Sequence, residues 1–142
     1  MKYTCRITKS TDNGRTFYDV EFPDIPEAFS CVDTLEEARS SAKDVLDSIL
    51  TAKLEQGDPL PVARTKADPK KGLEPVPVDD RLAIAYTIFE ARRGKSAAEV
   101  ARKMGISRQA YQRLEDPKAS LTVATLVKAA KALGKQLDIA FV

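Results

Sequence analysis

The sequence predicts an α+β protein: a small N-terminal sheet with one packed helix, followed by an all-α helix-turn-helix domain that ends in a short C-terminal strand. Three observations support this fold class. Apolar residues alternate with polar ones near the N-terminus, a helical apolar stripe follows, and two short capped helices flank Gly105. The chain has 142 residues, of which 43% are hydrophobic and 31% charged, a composition that suits two small folded domains.

A β-hairpin is the first predicted element. Apolar residues recur at every second position in residues 2–9 and again in residues 15–22, as in half-buried strands. Asn13 and Gly14 between them tolerate the positive φ of a tight hairpin turn. Pro23 then ends the second strand, because proline donates no hydrogen bond to a neighbouring strand.

A third strand and a long helix complete the predicted front domain. The strand lies around residues 28–32 and carries Phe29 and Cys31. We place both Cys5 and Cys31 on the apolar sides of their strands and expect buried, reduced thiols. Thr34 and Glu37 form a capping box that begins the helix. The stripe expected to pack on the sheet consists of Leu35, Ala38, Ala42, Val45, Leu46 and Ile49.

Residues 59–75 contain several prolines and are predicted to form a loop or linker. Its last residues overlap a possible short edge strand over residues 73–78. We therefore place two domains at residues 1–78 and 79–142. The first carries 11 Lys+Arg and 14 Asp+Glu (net −3), and the second carries 12 and 7 (net +5). This asymmetry indicates different partners, with a polyphosphate as a candidate for the basic half.

Two short helices joined by a tight turn carry the strongest pattern in the sequence. Ser96 and Glu99 form a capping box, Gly105 accepts a left-handed backbone in the turn, and Ser107 caps a second helix over residues 108–114. The residues expected to lock the pair together are Val100, Ala101, Met104, Ile106, Tyr111 and Leu114.

Further elements flank this pair. A helix over residues 81–92 precedes it, and a helix from Thr122 to Gly134 follows. Residues 136–142 alternate as a strand whose edge would be open unless a second subunit paired with it. The residues expected to mediate dimerisation are Leu137, Ile139 and Phe141.

The arrangement is typical of proteins that bind double-stranded DNA. The second helix would present Ser107, Arg108, Gln109, Gln112 and Arg113 to a major groove, where Arg pairs with guanine and Gln with adenine. Ser96 and Lys103, with Lys95, would lie near phosphates and set the position of the protein rather than its sequence preference. The alternative is a helical hairpin used only for protein contact.

Enzyme chemistry has little support in the sequence. The absence of histidine excludes Ser-His and Cys-His nucleophile systems. We expect no catalytic residues, no metal and no cofactor. A carboxylate-metal nuclease built from Asp19, Glu21, Asp24 and Asp33 remains an alternative. No apolar run is long enough to span a bilayer, so we expect a cytoplasmic protein without a membrane partner.

Two known families resemble parts of the chain. The string AEVARKMGISRQ at 98–109 and the string TLVKAAKALG at 125–134 resemble the Xre/Cro-type helix-turn-helix repressor domain. The strings VEFPDIP at 20–26 and DTLEEA at 33–38 resemble the N-terminal domain of HicB antitoxins, bacterial type II antitoxins. This resemblance implies a partial, non-catalytic RNase H-like fold for the front domain. It also implies binding and inhibition of a small HicA-type toxin that cleaves mRNA, repression of the protein's own operon through double-stranded operator DNA, and assembly as a homo-dimer or tetramer.

The acidic front domain suits that function, since a toxin that cuts RNA should be basic where it grips phosphate. The toxin contacts expected from the exposed acids are Asp19, Glu21, Asp24 and Glu27. The alternative function is a stand-alone DNA-binding transcriptional regulator whose N-terminal domain senses a ligand or a protein.

Overall fold

A computed structural model describes all 142 residues, which form two compact units, Met1–Asp80 and Arg81–Val142. The elements of the first unit are β1 (Lys2–Asp12), β2 (Arg15–Phe22), β3 (Ile25–Val32), α1 (Leu35–Glu55) and β4 (Leu73–Pro77). The helices of the rest of the chain are α2 (Asp80–Ala91), α3 (Ala97–Met104), α4 (Arg108–Gln112) and α5 (Val123–Ala132). This arrangement confirms the α+β class.

The four strands form one antiparallel sheet in the order β3-β2-β1-β4. Asn13 and Gly14 adopt φ values of 50° and 76° in the turn between β1 and β2, which confirms the predicted hairpin. β4 pairs only with β1 and contains Pro75 and Pro77, so the predicted edge strand is present. An edge position tolerates proline because one side of the strand makes no sheet hydrogen bonds.

α1 packs on one face of the sheet and begins as predicted. The Thr34 hydroxyl accepts a hydrogen bond from the Glu37 N–H, and the Glu37 carboxylate accepts one from the Asp33 N–H. The residues of α1 that are fully buried recur every fourth position: Ala38, Ala42, Leu46, Leu50 and Leu54. The predicted stripe is correct in its centre, but Leu35 is exposed and the buried face continues past Ile49.

The side of β3 that faces the helix was predicted wrongly. Ala28 is fully buried, whereas Phe29 and Cys31 are exposed. α1 lies against β3, and the hydroxyl of Ser41 on the helix hydrogen-bonds the hydroxyl of Ser30 on the strand. The small residues Ala28 and Ser30 therefore take the side of β3 toward α1, and Phe29 and Cys31 point outward.

The two thiols therefore differ. Cys5 is buried as expected, and burial, with the neighbouring Glu74 carboxylate, raises its pKa to about 11. Cys31 is on the opposite face of the sheet and is exposed, so the expectation of a second buried thiol is wrong.

The stretch after α1 has the predicted lack of strands and helices over most of its length, apart from a single 3-10 turn at Pro69–Lys71. It is fastened to the sheet at several points. The Tyr3 hydroxyl donates to the Pro61 carbonyl, and the Thr4 hydroxyl donates to the Thr65 carbonyl at 2.8 Å. These bonds join residues about 60 positions apart, so this loop belongs to the packed unit.

The helical unit has its own core. Its buried residues come from all four helices and the turn after α4: Ile88, Val100, Ala101, Tyr111, Leu114, Ala129 and Leu133. Gly134 adopts φ 69° at the predicted end of α5. The strand predicted over residues 136–142 is not formed, since the segment pairs with no strand in the chain. A strand needs a partner for its backbone N–H and C=O groups, and this unit offers none.

Candidate functional site

The helix pair α3–α4 has the local geometry that the sequence predicts. The hydroxyl of Ser96 accepts a hydrogen bond from the Glu99 N–H, and that of Ser107 accepts one from the Ala110 N–H. Gly105 ends α3 with φ 70°, in the left-handed region where a side chain would be strained. Both helices therefore begin at a serine that caps the first turn, and α3 ends at a glycine that accepts the left-handed conformation.

Apolar contacts hold the pair at a fixed angle. Val100, Tyr111 and Leu114 are buried in the core of the unit, and Met104 and Ile106 pack against it half-buried. These are the residues that the sequence analysis named. Because residues of both helices pack in the core, the outward face of α4 is held in a defined position.

Polar side chains cover the outward face of α4 and the turn that follows. Arg108, Gln109, Gln112 and Arg113 are all exposed, and neither arginine has a carboxylate partner. Arginine and glutamine present paired donors or a donor and an acceptor, which match the edges of guanine and adenine in a major groove. This face is a candidate nucleic-acid interface.

A largely buried ion pair beside α4 was missed by the sequence analysis. The Arg92 guanidinium donates two hydrogen bonds to the Glu115 carboxylate, at 2.8 and 2.9 Å, and a third to the Lys95 carbonyl at 3.0 Å. The two side chains are only 20% and 15% exposed. The pair joins the residue after α2 to the last residue of the 3-10 turn that follows α4.

The ion pair between Arg92 and Glu115 affects the pKa values of neighbouring groups, including the buried Tyr111 hydroxyl. The hydrogen bond to Glu115 raises the pKa of Arg92 above its ordinary value. Burial raises the pKa of the Tyr111 hydroxyl, and the Glu115 carboxylate adds to that shift. The Arg92 guanidinium also lies 5.6 Å from the centre of the Phe89 ring, within the range of a cation–π contact. Arg92 is therefore charged, and it anchors the support of α4.

Arg81 is a second positioning residue that the sequence analysis missed. Its guanidinium donates to the carbonyls of Arg113 and Ala119 at 2.8 Å and to that of Leu114 at 3.2 Å. These carbonyls lie at and after the end of α4, where helical partners run out. The partners are 32 to 38 positions away along the chain, so no local pattern in the sequence points to them.

The first unit presents a polar face of its sheet on the side opposite α1. One row across the strands joins Arg6, Glu21 and Phe29, and the next joins Asp19 and Cys31. Glu21 forms a 3.0 Å ion pair with Arg6, and Phe29 is 70% exposed beside it. An exposed aromatic ring among charged side chains is a common centre of a protein interface.

The other two acids that were expected to contact the toxin, Asp24 and Glu27, form hydrogen bonds or an ion pair within the unit. Both oxygens of Asp24 accept hydrogen bonds from residues 64–65: two backbone N–H groups at 2.8 Å and the Thr65 hydroxyl. Partial burial opposes the change, but these bonds lower the pKa of the Asp24 carboxyl. Glu27 pairs with Lys53 of α1 at 3.0 Å. Asp24 thus fastens the long loop beside the sheet.

The carboxylates of the nuclease alternative do not assemble. Asp33 pairs with Arg15, Glu21 pairs with Arg6, and Asp24 holds the loop. No group of three or more His, Cys, Asp or Glu side chains in the structure is arranged to hold a metal ion. The geometry therefore gives no support to a two-metal site.

None of the helices combines the length and the apolar character that crossing a membrane would require.

Comparisons with known proteins agree with this architecture. Residues 2–82 match the family model described as a HicB-like antitoxin of bacterial toxin-antitoxin systems, and residues 88–139 match a helix-turn-helix model. Antitoxin HicB 2 of Photorhabdus laumondii is 31% identical over 98% of both chains. Antitoxin HicB of Escherichia coli K12 is 28% identical over 100% of both chains.

Among solved structures, the N-terminal domain of a Burkholderia pseudomallei antitoxin HicB matches 56% of this chain and 99% of its own, with 23% identity and a TM-score of 0.45. The family model covers more than half of the present sequence, and a relative above 30% identity spans nearly all of it. The chain belongs to the HicB-like antitoxin family of bacterial toxin-antitoxin systems and carries a C-terminal helix-turn-helix domain.

Proposed function

We propose that this antitoxin binds and neutralises a small HicA-type mRNA-cleaving toxin through its N-terminal unit and represses its own operon through its helix-turn-helix unit. Membership in the family supports the first activity. The observation that carries the second is the exposed face of α4 and the turn after it, which carries two arginines without a carboxylate partner and two glutamines. Both activities require binding rather than catalysis, so we propose a non-enzymatic regulator without a cofactor.

In the DNA-bound state, α4 would enter the major groove. Arg108 and Arg113 would donate bidentately to guanines, and Gln109 and Gln112 would pair with adenines, each good pair discriminating by about 1–3 kcal/mol. The hydroxyls of Ser96 and Ser107 accept the capping hydrogen bonds and keep their own protons for phosphate oxygens. Lys103 would add a contact to the backbone.

The toxin would dock on the outer face of the sheet. Phe29 supplies an exposed aromatic anchor, and Glu21 and Asp19 lie in the neighbouring positions of β2. An RNA-cutting toxin is expected to be basic where it holds phosphate, so these acids would draw it to the aromatic centre. Asp24 and Glu27 would act indirectly, because each already has partners within the unit.

Operator binding would require a homo-dimer, or a tetramer built from dimers. Helix-turn-helix proteins usually read two half-sites about one helical turn apart, and one small unit makes few phosphate contacts. The C-terminal residues Ile139 and Phe141 are exposed in the single chain, and Leu137 is half-buried. Pairing of this segment with its copy would form the strand that the isolated chain lacks. Because an operator-binding protein works beside DNA, the proposed location is the cytoplasm.

The proposal is tested by growth rescue. The small neighbouring gene is expressed from an unrelated promoter, and either the natural chain or the Arg108→Ala/Arg113→Ala variant is supplied separately. We expect both proteins to restore growth, because the substituted residues lie on α4 and in the turn after it, which belong to the other unit. Only the natural chain should shift an operator duplex, since two base-contacting arginines are worth about 1–3 kcal/mol each.

A harmless neighbour, or failure of the natural chain to rescue, would contradict the antitoxin activity. That result would favour the alternative function, a stand-alone DNA-binding regulator whose N-terminal domain senses a ligand or a protein. Equal operator binding by the two proteins would instead show that α4 is not the recognition helix.

The docking face is tested by Phe29→Ser. We expect affinity for the purified toxin to fall at least about 30-fold, the size of a typical interface anchor of about 2 kcal/mol. The fold should be unchanged, because Phe29 is 70% exposed. Titration calorimetry with the toxin measures the loss. The matched control is Val62→Ser, which removes another exposed apolar side chain, 64% exposed, from the same unit. Equal affinities of the two variants would place the interface elsewhere.

A further inference from the structure

The helix-turn-helix unit contains a second basic feature besides the recognition face. A groove of about 570 Å³ lies along α3 and α5, which pack against each other. We call it the lysine groove and define it by its lining residues: Lys95, Lys103, Met104, Lys128, Lys131, Ala132 and Gly134. None of the outward residues of α4 lines it, so it is separate from the surface that would read bases.

The four lysines of this groove carry uncompensated charge. The carboxylates Glu90 and Glu115 pair with Arg93 and Arg92, and no carboxylate forms an ion pair with a groove lysine. Residues 81–142 contain 12 Lys+Arg and only 5 Asp+Glu, a net charge of +7. Four like charges around one depression repel each other unless an anion lies between them.

The lining indicates what kind of anion would bind. Besides the lysines, the groove is lined by Met104, Ala132 and Gly134, and no aromatic side chain lines it. It therefore offers neither a ring on which a single-stranded base could stack nor an aromatic anchor for a protein partner. Lysine ammonium groups act as point charges on flexible stems and hold phosphate without requiring a fixed geometry.

The position of the groove relates it to DNA. Met104 is followed directly by the turn at Gly105, and α4 begins at Arg108. Lys95 directly precedes Ser96, the cap of α3. Both ends of the α3 side of this groove are therefore adjacent in sequence to residues that are proposed to contact DNA or that lead into α4.

We propose that the lysine groove binds the phosphate backbone of double-stranded DNA outside the base pairs that α4 reads. This inference rests on the proposed DNA-binding function and deepens it. The groove supplies affinity that is independent of sequence, while α4 supplies the preference for the operator. It assigns Lys128 and Lys131 of α5 a role in DNA binding, and it assigns Lys103 to the same set.

The test compares Lys128→Gln/Lys131→Gln with Lys70→Gln/Lys71→Gln in the full chain. The second variant removes the same charge from the 3-10 turn of the N-terminal unit, where neither lysine forms an ion pair. Binding to operator and scrambled duplexes of equal length is measured between 50 and 200 mM salt. Far-UV circular dichroism and thermal melts check that both variants are folded.

For the groove variant we expect the slope of log K against log salt to become shallower by about 2, since each phosphate contact contributes about 0.9. The affinity lost between 50 and 200 mM salt should then shrink about tenfold. The change should be equal on both duplexes, and the control variant should keep the slope of the natural chain.

Two results would overturn the proposal. The first is a groove variant with an unchanged slope, and if that variant also loses toxin binding, the groove belongs to a protein partner. The second is an equal change in the control, which would reveal a net-charge effect. If the slope changes as expected but the natural chain shows no preference for the operator, the groove stands and the proposed base reading by α4 fails.

Discussion

Arg92→Ala is expected to lower the free energy of unfolding of the helix-turn-helix unit by about 2 kcal/mol, because a largely buried carboxylate loses its charged partner. The substitution removes two hydrogen bonds to Glu115 and one to the Lys95 carbonyl. The Glu115 carboxylate, whose side chain is only 15% exposed, would then lose its ion-pair partner. A unit of this size has a stability of about 3–9 kcal/mol, so the substitution removes a large share of it and operator binding should weaken.

Hydrogen exchange in the full chain would measure this loss, because it separates the amides of α4 from those of the sheet. The matched control is Arg93→Ala. Its side chain is 66% exposed and pairs with Glu90 at 3.4 Å on the helix surface, so its removal should cost less than about 0.5 kcal/mol. Similar protection factors in the two variants would show that the Arg92–Glu115 pair does not support α4.

Deletion of residues 136–142 is expected to weaken operator binding by about a hundredfold or more and to leave the chain monomeric, because this segment is proposed to join two subunits. Two linked recognition helices bind two half-sites with an effective concentration that a single unit lacks. The deleted segment makes no strand pairing within the chain, so each unit should remain folded. Sedimentation and binding to duplexes with one or two half-sites would measure both effects.

The control for this deletion is Val123→Ala/Val127→Ala, which reduces exposed apolar surface on α5 and leaves the C-terminal segment intact. The control should remain dimeric. A truncated chain with unchanged mass and unchanged operator affinity would contradict the proposed dimerisation through Leu137, Ile139 and Phe141.

Comparison of the expected and observed elements shows where sequence patterns are informative. The hairpin turn at Asn13–Gly14, the capping residues Ser96 and Ser107 and the left-handed Gly105 were all predicted. Each of these depends on a residue's own backbone preference or on a partner three positions away. Such local features can be predicted from the sequence because these residues strongly favour one local conformation.

The orientation of β3 shows the opposite case. Alternation placed Cys31 on the apolar side, but in the structure Ala28 and Ser30 take the side of β3 that packs on α1. Phe29 consequently became the exposed aromatic residue of the outer face. That outcome depends on the distance between a helix and a strand, which no alternation of apolar and polar residues encodes.

The C-terminal segment shows a further limit. Its alternation of apolar and polar residues predicts a strand, yet the single chain supplies no neighbouring strand for it. A β-strand is stabilised by hydrogen bonds to another segment, so its formation depends on assembly as well as on local preference.

The sequence by itself determined the α+β class, the helix-turn-helix and the residues that its second helix exposes, because hydrophobic periodicity and capping act over a few residues. Only the tertiary structure decided which face of β3 is exposed, that Asp24 holds the loop, and that Arg81 and Arg92 support α4. It also brought four lysines of α3 and α5 and their flanking residues around one groove. These contacts join residues far apart in the chain, and only the packing of the elements brings them together.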